Sequence, residues 1–394
     1  MSRMLSVMSL LVVAGSASAV MIQPGDIVFI EKVTNNDSKI KFLDYDALAT
    51  YEVLDAPGKR LSAMEIDTNG NFYAVNANTP LVVNSSSLYR FGYAALLGPL
   101  VGNPQTNFSD VVVSGVSDLR APGEAVFDPA TNQLIFPNNN QNLQSTPDER
   151  QAIIGVNVTT GVVSTLAQDP TGNGGNFLNT PNFRQPNGIT TDPTGVGNYL
   201  FVSPDGSDFL VPSIVPGGGG PQGGTLWRLN GETPGSGATL VKDLASPDIV
   251  SAIGRGLGFQ LSMEPIPGEN ALLLTDAGDG DGTDAGIYRI DFNPDGSFAS
   301  IALILSEANF PAMAVPGDIV YNPFTGKFVV GSQSLGANIG DFIFEMNADG
   351  TGVNILASGV QAGDFIIVTN NIPAPGAAAL LGLAGVAGLR RRRA

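Results

Sequence analysis

One pattern recurs along the chain and constrains its fold more than any other feature. A small residue opens an apolar run, an acidic or amide residue closes it, a turn follows, and a second apolar run begins. Gly123-Glu124-Ala125-Val126-Phe127-Asp128-Pro129 leads into Leu134-Ile135-Phe136. Gly188-Ile189-Thr190-Thr191-Asp192-Pro193 leads into Tyr199-Leu200-Phe201-Val202, and Gly317-Asp318-Ile319-Val320-Tyr321-Asn322-Pro323 into Lys327-Phe328-Val329-Val330. Met64-Glu65-Ile66-Asp67 precedes Asn69-Gly70 and Phe72-Tyr73-Ala74-Val75. Leu261-Ser262-Met263-Glu264-Pro265 before Leu272-Leu273-Leu274 is a weaker copy. Asp, Asn, Pro and Gly favour turn dihedrals, and the flanking runs are β-rich, so each copy reads as a hairpin.

A second half follows each hairpin. Leu88-Tyr89-Arg90-Phe91, Leu226-Trp227-Arg228-Leu229, Ile287-Tyr288-Arg289-Ile290 and Phe342-Ile343-Phe344-Glu345 read as third strands. Val162 to Leu166, Thr239 to Val241, Ile301 to Ile304 and Val353 to Leu356 read as fourth strands. Four strands recurring roughly every 60 residues are the period of a lengthened propeller blade. Five units are complete. A sixth begins at Asp26 to Ile30, continues through Ile40 to Leu43, ends at Tyr51 to Leu54, and lacks one strand. Asp364-Phe365-Ile366-Ile367-Val368 is left over at the other end, and adding it would close the ring and remove an exposed sheet edge. The expected fold is all-β: a β-propeller of six four-stranded blades over residues 20–370. A β-sandwich is the rival architecture.

Composition excludes several chemistries. The 394 residues contain no Cys and no His. That removes disulfides, thiolate nucleophiles, Cys/His zinc sites and any Ser-His-Asp triad. The formal charge of −17 argues against nucleic acid as a partner. Carboxylates remain as the strong metal ligands, which directs any metal chemistry toward Ca²⁺.

The most site-like stretch is Asp276-Ala277-Gly278-Asp279-Gly280-Asp281-Gly282-Thr283-Asp284. Its four carboxylates interleave with Gly and resemble D-x-D-G-x-x-D calcium loops, without the downstream Glu of an EF-hand. Asp276, Asp279, Asp281 and Asp284 are therefore the candidate Ca²⁺ ligands, against the plainer reading of a solvated hairpin tip. The aromatic–Arg pairs (Tyr89-Arg90, Trp227-Arg228, Tyr288-Arg289) are read as packing between blades on one side and solvent-facing on the other, not as a ligand platform. Glu65, Glu124, Asp318 and Asn187 stand near the starts of blade hairpins, where they face the axis if the ring closes. Long polar inserts span Asn138 to Asp148, Thr171 to Gln185 and Pro204 to Gly224, and loops at a propeller rim often bind.

The two ends read as processing signals. Arg3, the apolar run Met4 to Ala14 and Ala17-Ser18-Ala19 form the three parts of a secretory signal peptide over residues 1–19, with a helical apolar segment. At the other end Pro373-Ala374-Pro375 precedes an apolar run, Gly376 to Leu389, and Arg390-Arg391-Arg392-Arg393. The run is short for a spanning helix, and the arginine block would hold that end in the cytoplasm. Without the five arginines of these ends the body carries about −22.

The tail over residues 371–394 resembles the PEP-CTERM sorting signal of Gram-negative bacteria, in a variant with Ala374 in place of the Glu. That resemblance implies export across the inner membrane and recognition by an exosortase-like membrane protease after signal peptidase. It also implies transient C-terminal anchoring and residence at the cell surface, outer membrane or medium. The body resembles an NHL-like six-bladed propeller. The leading expectation is a non-catalytic binding or matrix component, its ligand an exopolysaccharide or other surface component. The alternative is a Ca²⁺-dependent hydrolase of the lactonase or glycan-acting type, since six-bladed propellers of the gluconolactonase kind hold a central Ca²⁺ with Glu, Asn and Asp. A glycosidase built on a carboxylate pair is a further possibility.

Overall fold

The structure is a computed structural model. It describes residues 22–369 apart from 34–36, 77–86, 93–109, 115–122, 139–151, 169–185, 205–222, 279–284, 314 and 333–340. Among the described residues the strands form six four-stranded antiparallel sheets, each ordered from the axis outward. Blade 2 is β4 (Leu61–Ile66), β5 (Asn71–Asn76), β6 (Ser87–Gly92) and β7 (Asp110–Ser114). Blade 3 is β8 (Val126–Asp128), β9 (Gln133–Asn138), β10 (Ala152–Asn157) and β11 (Val163–Gln168). Blade 4 is β12 (Ile189–Thr191), β13 (Tyr199–Ser203), β14 (Thr225–Leu229) and β15 (Ala238–Asp243). Blade 5 is β16 (Gln260–Pro265), β17 (Ala271–Asp276), β18 (Gly286–Phe292) and β19 (Phe298–Ser306). Blade 6 is β20 (Pro316–Asn322), β21 (Lys327–Ser332), β22 (Phe342–Met346) and β23 (Asn354–Ser358).

Blade 1 is composite. Its outer strands β1 (Ile27–Lys32), β2 (Ser38–Asp44) and β3 (Ala49–Ala56) come from the start of the body, and its innermost strand β24 (Ala362–Ile367) comes from the end. β24 pairs with β1 through Ile27↔Ile367, Val28↔Ile366 and Phe29↔Phe365. The expected ring closure is thus observed, with the strand starting two residues earlier than the sequence pattern indicates.

The hairpin turns form for the reason their composition suggests. Asp67 Oδ1 accepts the amides of Asn69 and Asn71 at 2.8 and 2.9 Å. Asp128, Asp192 and Asn322 accept the amide two residues on at 2.9, 2.9 and 3.0 Å. These side chains satisfy the turn backbone in place of a strand partner. A register shift recurs between the third and fourth strands of every blade, at Ile40, Leu88, Ile153, Leu226, Ile287 and Ile343. Bulges raise local twist, and their repetition gives the blades a common curvature.

Six apolar clusters hold the molecule together, one at each seam between neighbouring blades. Phe29 and Ile27 of blade 1 pack with Val329 and Ile343 of blade 6, while Val28 and Ile30 turn to Met64 and Phe72 of blade 2. The period-2 alternation of a strand thus serves two seams at once. It corrects the expectation for the aromatic–Arg pairs, because both faces of these strands are covered. Tyr89, Trp227 and Tyr288 are buried, and Arg228 pairs with Asp192 at 2.6 Å while donating to the Gly296 carbonyl. The same covering explains runs such as Leu272-Leu273-Leu274, buried throughout.

One short helix, α1 (Pro247–Ile253), fills the connection from blade 4 to blade 5, and Gly254 ends it in the left-handed conformation. No helix among the described residues is long and apolar enough to cross a membrane. The signal-peptide segment 1–19, the apolar run 376–389 and the sorting residues Pro373, Ala374, Pro375 and Arg390 to Arg393 lie outside the described residues.

Candidate functional site: the axial channel

The six inner strands β4, β8, β12, β16, β20 and β24 stand side by side around a cavity of about 550 Å³. Glu65, Glu124, Glu264, Asp318 and Asp364 line it on or ahead of the inner strands and Asp67 at the turn after β4, and no Lys or Arg does so among the described residues. The register explains why the acids meet. Five inner strands end at a residue that begins the hairpin turn, Asp67, Asp128, Asp192, Ile266 and Asn322, and β24 ends at the equivalent Val368, which donates to Asp26 O. Four positions before that residue stand Glu124, Ser262, Asp318 and Asp364, and two positions before it stand Glu65, Thr190 and Glu264. Residues two apart on a strand project to one side, so the acids form two levels in one channel.

Each acid fastens its blade to the next. Asp364 accepts the Met64 amide, joining blade 1 to blade 2. Glu65 accepts its own neighbour Ile66 N at 2.7 Å and the backbone amide of Phe127 on blade 3. Glu124 accepts Ile189 N of blade 4 at 2.7 Å. Glu264 accepts Tyr321 N of blade 6 at 3.1 Å, and Asp318 accepts Phe365 N of blade 1 at 2.6 Å. Inner-strand amides that face the axis have no ladder partner on that side, and the carboxylates satisfy them.

The exception is the seam between blades 4 and 5. There the position four before the turn is Gly188, where a Cβ would sit 2.9 Å from the Leu261 carbonyl and 3.2 Å from Glu124 Oε2. No side chain fits without displacing backbone. Asn187 donates its amide to Leu261 O at 3.3 Å instead. Asn187 therefore belongs to the seam and not to the channel wall, unlike Glu65, Glu124 and Asp318, which face the axis as expected.

Burial with no counter-ion among the described lining residues raises the carboxyls. Desolvation dominates, pushing Glu65 up to about 7 and Glu264 up to about 8. Glu124 and Asp364 are raised well above the ordinary range by burial and then by the charge of Asp318. Asp318 is raised too, by burial, against hydrogen bonds from Glu124, Ser262, Asp364 and Phe365 N. Ser262 Oγ donates to Asp318 at 2.7 Å, and Ile319 N at 2.8 Å. Hydrogen bonding within the group thus favours the charged form of Asp318 and the neutral forms of Glu124 and Asp364.

Chemically the channel offers oxygen ligands suited to a hard cation such as Ca²⁺. Their arrangement does not make a cage: among the described residues no group of three or more acids is placed to hold a metal ion. The oxygens are occupied by backbone amides and by one another.

Of the four candidate Ca²⁺ ligands, Asp276 alone is described. It is fully buried at the end of β17, ion-paired with Arg255, and accepts Phe259 N and Gln260 Nε2 at 3.1 Å and Gly278 N at 2.9 Å. Asp279, Asp281 and Asp284 lie outside the described residues. Glu264 and Asp364 escaped the sequence reading as axial acids. Their signal was present: Met263-Glu264 repeats Met64-Glu65 at the same place in the hairpin. Gly363-Asp364 repeats the Gly-acid step of Gly123-Glu124 and Gly317-Asp318.

No protein family and no curated protein matches the sequence. Solved structures do. A chain of the nidogen/laminin complex aligns with a TM-score of 0.53 at 12% identity, over 88% of this chain and 99% of that one. A gluconolactonase from Xanthomonas campestris aligns with a TM-score of 0.46 at 12% identity, over 87% and 88%. A virginiamycin B lyase from Staphylococcus aureus aligns with 0.40 at 14% identity, over 75% and 69%. The likeness to the nidogen/laminin chain shows a shared fold, and at this identity it shows the fold alone.

Proposed function

We propose that the chain is an exported six-bladed propeller with a binding or matrix role at the cell surface, delivered by its signal peptide and sorted by its PEP-CTERM-type tail. The observation that carries this reading is the use of the channel. Five carboxyls stand where a propeller hydrolase would hold its metal, and here they fasten blade to blade. Binding then falls to the outer surface, and the chain is asymmetric there. Strands alternate in direction, so connections from second to third strand, and from one blade to the next, open toward one end. In the sequence, the long polar segments 139–151, 169–185 and 205–222 fall between β9 and β10, β11 and β12, and β13 and β14. Among the described residues the turns 67–70, 129–132 and 323–326 at the opposite end are tight. The nidogen/laminin structure is a precedent for this fold within a protein complex. A Ca²⁺-dependent lactonase would need oxygens free to converge on the ion, and these are engaged.

The test is expression in a Gram-negative host that carries an exosortase, with cell fractionation and intact mass measurement. The expected product starts near Val20, leaves the cytoplasm and reaches the surface or medium. A variant lacking 371–394 is exported but not retained or processed in the same way. A full-length product retaining Met1 in the cytoplasm overturns the reading. Purified body on arrays of surface polysaccharides and proteins then identifies the ligand class, and turnover of lactones by the same material would favour the hydrolase.

A further inference from the structure

The strand that closes the ring is gripped from both sides by acids. On β20, Asp318 accepts Phe365 N of β24 at 2.6 Å, and on β24 itself Asp364 accepts Met64 N of β4. Glu124, ahead of β8, reaches the same Asp318 while accepting Ile189 N of β12. One acid cluster thus spans blades 6, 1 and 2 and extends to blades 3 and 4. Glu124 and Asp364 each meet Asp318 side chain to side chain, and a hydrogen bond between two carboxyls needs one shared proton.

We propose that Glu124, Asp318 and Asp364 form a proton-shared clamp that holds the closing strand β24 in the ring while its two protons are present, and releases its grip as rising pH removes them. Losing the protons converts two donor–acceptor contacts into three adjacent carboxylates in a channel that no Lys or Arg lines among the described residues. Like charges at that separation repel strongly where water is scarce.

The groups facing the clamp set the sense of the response. From β4 come Glu65 and Asp67, from β16 Ser262 and Glu264, and from β12 Thr190. Glu65 and Glu264 are raised, so they add charge over the same rise in pH. Lys32 on β1 interacts with Asp364 and acts oppositely: burial first, then Arg60, lowers it. Carboxyls raised in the folded state contribute stability that is whole below their unfolded value near 4. That contribution is lost as pH rises through the folded value, about 7 for Glu65 and about 8 for Glu264. The chain has no His and no Cys, the side chains that ordinarily titrate between pH 6 and 9. A stability change in that window is therefore assigned to the channel by the variants that remove its carboxyls.

The experiment measures Tm of the purified chain from pH 5 to pH 9. It adds hydrogen exchange of the β24 and β4 amides, corrected for intrinsic exchange and referenced to β10. The expected result is a fall in Tm of roughly 5 °C or more across the window, with protection at Phe365 and Met64 dropping before that of β10. The double substitution Glu124→Gln and Asp364→Asn keeps both acceptors and supplies amide donors in place of the protons, so it should lessen the slope, leaving the share that Glu65 and Glu264 contribute. Should that double variant fail to fold, Asp364→Asn alone and wild-type exchange decide the matter. A flat wild-type Tm overturns the clamp. So does an unchanged slope in the variants, or protection lost equally in β24 and β10.

Discussion

The seam between blades 6 and 1 and the seam between blades 4 and 5 solve one problem by different means. At the first, the closing strand β24 meets β20 and Asp318 takes up the Phe365 amide, while Asp364 on β24 reaches on to the Met64 amide of blade 2. Their neighbours lining the channel are further acids, and the cation that interacts with Asp364 is Lys32, outside the lining. At the second, Gly188 leaves no room for an acid, and the connection folds into α1. Ile249 and Leu257 from that connection fill the cluster shared by blades 4 and 5. The buried carboxylate of that seam, Asp276, has a true partner in Arg255. A joint made within continuous chain can rest on apolar filling and a paired charge. The closing strand β24, which also pairs with β1 from the far end of the chain, adds directional hydrogen bonds to the apolar clusters on its two sides, and these fix its register.

The largest expected effect lies at the paired seam. Asp276→Ala strips Arg255 of its partner and leaves Gln260 Nε2 and two backbone amides without their acceptor. Urea denaturation should show a loss of about 3 kcal/mol, the lower part of the cost of breaking a buried pair, since Arg255 keeps some access to water. Leu257→Ala, fully buried between the same blades, should cost about 2–4 kcal/mol through lost burial and the cavity left behind. Both losses should stay constant from pH 6 to pH 9. A Leu257→Ala loss that changes over that window would mean the two seams are not independent.

The two seams also differ in how far the sequence reveals them. The hairpin copies are legible because Asp67, Asp128, Asp192 and Asn322 must be Asx residues to make the turn. The closure is legible because blade 1 is one strand short and the chain ends on a spare one. Three of the five axial acids are legible, since they begin quoted hairpins. Glu264 and Asp364 are not, because a Glu before Pro265 and an Asp in a leftover strand look ordinary until the register stacks them above the others. Asn187 misleads for the reverse reason. It starts a hairpin like the acids, yet the Gly188 backbone passes so close to Leu261 that the side chain is diverted into the seam. Asp276 reads as a loop ligand by spacing, but its partner Arg255 comes from another blade connection, and no local pattern carries that information.

At the closing seam the expected effects are smaller and vary with pH. Asp364→Ala removes the acceptor of Met64 N and should cost about 1–3 kcal/mol at pH 6. At pH 9 the cost should shrink, because the wild type then bears the repulsion the variant lacks. Equal losses at both values would return Asp364 to a plain structural acceptor. Asp192 supplies the contrast in sign. It sits at a hairpin turn with its side chain fully covered, bonded to Thr194, Gly197 and Arg228. These bonds hold its carboxyl below the usual range in spite of burial. Its contribution is present above the unfolded value near 4 and is lost as pH falls through the folded one. Asp192→Asn should cost about 1–2 kcal/mol at pH 7 and blunt the acid limb of the stability profile, leaving the slope between pH 6 and 9 untouched.

The smallest effect belongs to the rim of blade 1, where Lys39 meets Glu52 at 2.7 Å across β2 and β3. The pair is partly exposed, and it holds a unit of charge of each sign within a few ångströms, as Arg255 and Asp276 do. What differs is water: ions that keep their hydration gain little from meeting, and salt screens what remains. Lys39→Ala should therefore change stability by about 0.5 kcal/mol or less, and less still in high salt. The same comparison applies to the channel, where acids without any cation among the described lining residues carry the larger, pH-dependent effect. If removing Lys39 instead altered the slope between pH 6 and 9, the titration would belong to the molecule's overall negative charge and not to the three carboxyls at the closing strand.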